Sequence, residues 1–324
     1  MDFKFSTFLS YISWPLLVVV CTAIFAVGSA YGAEIVAFNL AYLVLIVSLL
    51  ALERWMPFER EWQRKDEQFW ADIFHTLSSK GTVQMLLLFS GVIGLSAVMT
   101  PMAEAGPEYG VWPRDWPLAA QVVLALVAAE FPLYWAHRLG HEWMPMWRFH
   151  SVHHSVTKLW IVNTGRFHFV DSLISIVWGV AVLMALGAPM EMVKWMSAMT
   201  AFIGMLTHCN VEMRFGWLSY VFNTPELHRW HHSKKLIEGN KNYGENLMVW
   251  DHVFGSFINP KRRPPKNIGI TTYMPPRFRD QLLWPFLSKA RKAVVEARYP
   301  EGIRRVVDRP VKAASVGPIE QDAA

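Results

Sequence analysis

The chain has 324 residues, 53% of them hydrophobic, and a formal net charge of +5. That much apolar residue, gathered in long runs, excludes an ordinary soluble domain and predicts an all-α polytopic membrane helical bundle. Cys21 and Cys209 are the two cysteines, which excludes a disulfide framework or a paired-cysteine zinc site, and the basic charge does not indicate nucleic acid, because no binding fold for it accompanies the charge.

Phe5 to Ala33 carries no charge and is long enough for one uncleaved helical span, with Pro15 marking its start. Ile35 to Leu52 is a second uncharged run between Glu34 and Glu53, and the tight Tyr31-Gly32 link predicts a helical hairpin. Glu53 to Lys80 is polar and rich in tryptophan, as expected of a surface segment lying at the membrane. Gly81 to Ala103 reads as a third span, Trp116 to Ala136 as a fourth interrupted by Glu130, Ser172 to Met190 as a fifth, and Met192 to Thr207 as a shorter sixth ending at His208. The expected organisation is residues 1–116 as hairpin, interfacial segment and third span, 117–260 as the catalytic part, and 261–324 as a basic tail.

Lysine and arginine set the orientation. The loop after the second run carries Arg54, Arg60, Arg64, Lys65 and Lys80, whereas the loop after the third carries Arg114. From Asn210 to the end there are 19 Lys and Arg against 11 Asp and Glu, which suits an anionic inner leaflet. Both termini and the histidine motifs are therefore expected in the cytoplasm, as a histidine-rich helical cap on a bacterial inner-membrane or endoplasmic reticulum protein.

Eight of the 12 histidines fall in three short motifs: His137-Arg-Leu-Gly-His141, His150-Ser-Val-His153-His154 and His228-Arg-Trp-His231-His232. On a helix, residues four apart share a face about 6 Å apart along the axis. His137 and His141 are thus expected to serve one metal, His150, His153 and His154 to form a second claw, and His228, His231 and His232 a third. Neutral imidazole ligates iron, copper, zinc and nickel. Eight are too many for one ion, so two metals are expected, with His208 a ninth ligand. Spacing does not name the metal. Placement argues for iron: a redox metal at the mouth of a lipid-facing bundle can use dioxygen against a C–H bond, where zinc has no redox chemistry to offer.

Carboxylates are expected to fix the rings. Glu130 lies two turns before His137 inside a span, which makes it a functional candidate by default, the alternative being a polar group paired elsewhere in the bundle. Glu142 could support the site or be an ordinary interfacial charge. Asp251 could hold a ligand or cap a turn. His168 could reach the site, while His75 and His252 read as surface or interfacial residues. Arg138 and Arg229 read as headgroup contacts or partners of carboxylates.

At these residues the chain resembles the fatty acid hydroxylase/sterol desaturase family of membrane di-iron oxygenases. The likeness runs from Phe131 to Phe257, through Tyr134-Trp135-Ala136-His137-Arg138, the two HxxHH motifs, Thr207-His208-Cys209-Asn210-Val211, Asn242-Tyr243-Gly244 and Trp250-Asp251-His252-Val253-Phe254-Gly255. It implies two iron ions held by the three motifs plus His208, and O₂-dependent hydroxylation or desaturation of a lipid, sterol or fatty acyl chain. It also implies electrons from a separate donor protein or a diffusible reductant. One departure stands out: Gly204 occupies a position where some members have a further histidine. Near alternatives are an alkylglycerol monooxygenase-like ether-lipid oxidase and an aminolipid hydroxylase. Metal transport fits less well, because its ligands belong near the bilayer midplane, and haem needs one or two axial histidines rather than clusters.

Overall fold

The structure, a computed structural model, describes residues 3–88 and 110–303. The expected third span, 81–103, lies largely outside them. Two long helices open the chain, α1 (Phe3–Ala30) and α2 (Glu34–Trp55), joined by a turn in which Gly32 adopts φ 67°. Gly28 lets them close: a Cβ there would meet the Ala37 Cβ at 2.0 Å. Pro15 lies inside α1 rather than at its start.

The α2 sequence explains which face turns inward. Ala37, Ala41, Leu45, Leu49 and Glu53, each four apart, are buried, while Ile35, Val36, Leu40, Leu43 and Val47 are exposed. An exposed surface this apolar is matched to lipid. Small residues on the inner seam allow close helix packing, which holds membrane helices together where apolar burial alone adds little.

The other long helices are α3 (Phe69–Leu88), α4 (Leu118–Glu142), α6 (Phe169–Ala185) and α7 (Met190–Thr207), with the short α5 (Met144–His154) following α4. α3 starts well before the run expected as a span, inside the segment read as interfacial. Among the described residues, three helices are long and apolar enough to cross a membrane: Ser6–Ala30, Glu34–Trp55 and Leu118–Glu142. At 17 residues α6 is apolar but shorter than these three, and α7 carries Glu191 and Lys194. Side chains from α1, α2, α4, α6 and α7 share one core, including Trp14, Leu45, Ala125, Leu183 and Phe202.

At one end of this bundle the chain after α7 folds into short helices: α8 (Pro225–His231), α9 (Leu236–Gly239), α10 (Val249–Phe254), α11 (Phe278–Leu283) and α12 (Lys289–Arg298). Among the described residues there are isolated bridges and no strands. Buried polar groups tie this cap to the bundle. Glu53, at the end of α2, accepts the amides of Ile161 and Asn210, both at 2.9 Å. Arg166 donates to Asp72 of α3 at 2.6 Å, with both side chains almost wholly buried; breaking such a pair costs about 3–5 kcal/mol. His75 is a correction to the surface reading: it is fully buried and its Nε2 lies 2.9 Å from Gln281 Oε1.

Candidate metal centre

Nine imidazoles converge where α4, α5, α7 and α8 meet. They form two groups, each with ring nitrogens within 4.8 Å of one another: His137, His141, His150, His154 and His231 in one, and His153, His208, His228 and His232 in the other. The three-claw arrangement expected from spacing is therefore corrected. Each HxxHH motif is split, its i and i+4 members joining one group and its i+3 member the other. At about 100° per residue, positions i+3 and i+4 point about 100° apart, on either side of position i. α5 lends its i, i+4 pair to the first group and α8 lends its pair to the second.

The rings are held from behind. His137 Nδ1 donates to the Tyr243 carbonyl at 2.7 Å, and His231 Nδ1 to that of Lys241 at 2.8 Å. A carbonyl accepts only, so the proton is fixed on Nδ1 and Nε2 is left bare. His153 Nδ1 meets the Arg166 carbonyl at 3.3 Å, His150 Nδ1 meets Asp171 at 2.9 Å, His208 Nδ1 meets Asn163 at 3.1 Å and His141 Nδ1 meets Asn240 at 3.3 Å. The buried Nε2 atoms of His137, His208 and His231 have no hydrogen-bond partner among the described residues. Burial, reinforced by neighbouring imidazoles, holds His153, His154, His228, His231 and His232 well below the usual histidine range. Burial alone pushes His208 down to about 3. All six stay neutral, which is the ligating form.

This donor set fits a metal. The Nε2 of His154 lies 3.0 Å from those of both His141 and His150, and His228 and His232 Nε2 are 3.1 Å apart. Imidazole–metal bonds of about 2.1 Å at right angles place two nitrogens about 3.0 Å apart, and at a tetrahedral angle about 3.4 Å apart. The observed spacing matches the former.

The expected supporting carboxylates do not touch an imidazole. Glu130 accepts the backbone amides of Glu245 and Asn246. Asp251 accepts those of Tyr243 and Gly244, at 2.9 and 2.7 Å, and the Ser256 hydroxyl. Glu142 pairs with Arg138 and accepts the Tyr243 hydroxyl. Together they shape the Asn242–Asn246 loop, whose Tyr243 carbonyl holds His137, so they act one step removed. His168 faces away: its Nδ1 caps α6 at Val170 and its Nε2 meets the Leu282 carbonyl. His252 is exposed and bonds the Tyr220 carbonyl. Arg229 is buried, donates to the carbonyls of Cys209 and Val211 and lies over Phe58, and among the described residues it forms no ion pair with a carboxylate. Asp171, Asn163 and Asn240 are the partners that sequence reasoning missed. Asp171 left one signal, an acid at the mouth of an apolar run; the two asparagines left none.

A cavity of about 530 Å³ opens beside the first group, lined by His141, His154 and His231 with Glu142, Trp147, Lys234, Asn240 and Thr271 among others.

With this geometry in view, the comparisons decide the family. The fatty acid hydroxylase family profile matches residues 122–256. Ornithine lipid hydroxylase OlsE of Rhizobium tropici is 46% identical over 308 residues, covering 93% of this chain and 91% of the relative. The chain belongs to the fatty acid hydroxylase family. Alkylglycerol monooxygenase of Xenopus tropicalis is 29% identical across 43% of this chain and 31% of its own length, and the human enzyme 30% across 41% and 29%. No solved structure matches. As a member of this family the chain is an oxidoreductase, a lipid hydroxylase of the membrane.

Proposed function

We propose that the protein binds two iron ions, one in each histidine group, and hydroxylates an ornithine-containing membrane lipid with O₂ and electrons from a separate donor. The observation that carries this is the five-plus-four division of nine imidazoles, eight of them buried, beside a cavity at the end of a lipid-exposed bundle. The lipid class follows the relative that matches nearly the full length; the ether-lipid reading rests on less than half of the chain.

Iron bound there would supply the activation of dioxygen that no side chain provides. The protein's own residues do the rest. His137, His141, His150, His154 and His231 would hold the ion nearer the cavity, and His153, His208, His228 and His232 the other. Asp171 and the carbonyls of Tyr243, Lys241 and Arg166 fix ring orientation and tautomer. Aromatic walls at Trp147 and Tyr243, with ring centroids 5.5 and 5.4 Å from His141, limit water beside the ligands. Lysine and arginine placement supports a cytoplasmic position for the cap.

The test is the lipid profile of a host with and without the gene, grown under ¹⁸O₂, with His231→Ala as the control. The expected result is one ¹⁸O atom in an ornithine lipid, absent with the variant, and two irons per purified chain. An ornithine lipid pool unlabelled in the presence of the wild-type gene overturns the reading.

A further inference from the structure

The last short helices form a ledge beside the bundle, and α6 sets its level. α6 is apolar from Phe169 onward and exposes Val177 and Trp178, so its N-terminus marks where the chain enters lipid. His168 caps that end, and its Nε2 meets the Leu282 carbonyl, in the last turn of α11, at 3.0 Å. The Phe286 ring lies 5.7 Å from the same imidazole, centroid to centroid. α3 sets out from this level too. Arg166 pairs with Asp72 in its first turn, and Phe278 of α11 lies 5.5 Å from Phe74. Trp70, Phe74 and Leu77, on one face of α3, are exposed, as are Leu283 and Phe286 of the ledge.

α12 continues the ledge with an apolar stripe turned outward. Lys292, Val295 and, just past the end, Tyr299 face in, with Lys292 Nζ 4.8 Å from the Trp284 ring and Val295 packed on the Trp284 cluster. Ala290, Ala293, Val294 and Ala297 stand at i, i+3, i+4 and i+7 on the opposite side, and all four are exposed, Val294 by 61%. That is the spacing of one apolar helix face. Arg291 and Arg298 border it on one edge, Lys289 and Glu296 on the other, and no residue of the helix is buried. Arg148 of α5 adds a like charge near Lys292. An apolar stripe with basic flanks suits a helix lying in the plane of an anionic membrane surface. A second copy or an acidic partner protein would meet the charge. Neither accounts for the continuity of the stripe with the exposed apolar faces of α3 and α6.

We propose that α11, the turn Trp284–Phe286 and α12 lie flat on the bilayer, with Val294 and its neighbouring alanines at the boundary of headgroups and acyl chains and Arg291 and Arg298 reaching anionic phospholipid headgroups. The ledge is a membrane contact separate from the spanning helices, and it does not depend on the reaction proposed above. One link joins it to the frame of the metal centre: His168, held by Leu282, caps the α6 turn whose Asp171 holds His150.

The experiment uses full-length protein in nanodiscs of phosphatidylglycerol or phosphatidylcholine, with one nitroxide label at Val294→Cys or at Glu296→Cys. Cys21 and Cys209 are buried, so the label goes to the introduced thiol. In phosphatidylglycerol the Val294 label is expected to meet dissolved oxygen and to be shielded from a water-soluble nickel chelate, while the Glu296 label stays open to the chelate. Arg291→Gln with Arg298→Gln is expected to raise chelate access at Val294 by about fivefold for each arginine lost, the worth of one cation at an anionic surface. Trypsin cleavage of unlabelled wild type after these arginines should be slower in phosphatidylglycerol than in phosphatidylcholine. Equal chelate access at the two labels in phosphatidylglycerol overturns the inference, as does an unchanged Val294 label in the double arginine variant. Equal trypsin cleavage in the two lipids, which needs no variant, does the same. Shielding of Val294 in discs that hold two chains but not one assigns the face to a second copy and overturns it too.

Discussion

The two histidine groups share their ligands' sequence motifs but not their surroundings. The five-histidine group borders a cavity, and His141 within it is partly exposed. The four-histidine group is wholly buried, and the Nδ1 atoms of His228 and His232 have no partner among the described residues. Behind the first stands a carboxylate, Asp171; behind the second stands a neutral amide, Asn163. On the proposed reading the open group faces substrate and the closed one supports it. Near-identical motifs thus acquire different roles from what packs around them.

Removing one nitrogen from each group is the strongest way to break this comparison. His231→Ala and His153→Ala are each expected to abolish hydroxylation, with membrane insertion intact, and each to strip metal first from its own group. Metal content per chain and membrane fractionation check this; equal loss from both groups by either variant would erase the distinction. Weakening the support should come next. Asp171→Asn is expected to lower metal affinity or rate by about 10–100-fold, and Asn163→Ala by less, because a neutral partner does less than a carboxylate to raise ligand basicity. Side-by-side metal titrations measure the difference, and equal effects would remove the electrostatic contrast.

Glu130→Gln should act through the loop rather than the metal. Losing a charged acceptor for two buried amides costs about 1–3 kcal/mol, read as a lower melting point and a slower rate with metal content nearly unchanged. Acid should unsettle both groups, since burial lowers histidines in each. His208 sits at about 3 against an ordinary 6.5. The unfolded chain takes a proton at this histidine below 6.5 while the fold refuses it, so its contribution to the stability of the metal-free protein should be lost as pH falls from 6.5 toward 3. Melting curves across that range give the slope. The smallest expected effect is a gain. Gly204 lies one turn before His208, and a Cβ there would meet nothing within 4 Å. Gly204→His should bring a fifth imidazole to the closed group and slow its loss of metal to a chelator; unchanged release would show that the new ring points elsewhere.

Much of this was legible in the chain. Long uncharged runs gave α1, α2 and α4, because lipid tolerates little else. The pairs His137/His141, His150/His154 and His228/His232 each serve one group, as four-residue spacing on a helix requires. The split of His153 from His154 was not legible. Adjacent helical residues diverge by about 100°, and which side meets which partner depends on where α7 and α8 dock. The supporting residues were hidden for a related reason. Asp171 follows His150 by 21 positions, Asn163 precedes His208 by 45, and Asn240 follows His141 by 99, and no local rule links residues so far apart.

The amino-acid order by itself determined an apolar helical bundle, nine histidines at helix ends and a family resemblance, because hydropathy and helical period are properties of neighbours along the chain. Only the folded arrangement decided that those histidines divide five and four, and that Glu130, Glu142 and Asp251 shape a loop instead of touching a ring. Such outcomes depend on directions and distances between elements remote in sequence, which packing alone sets.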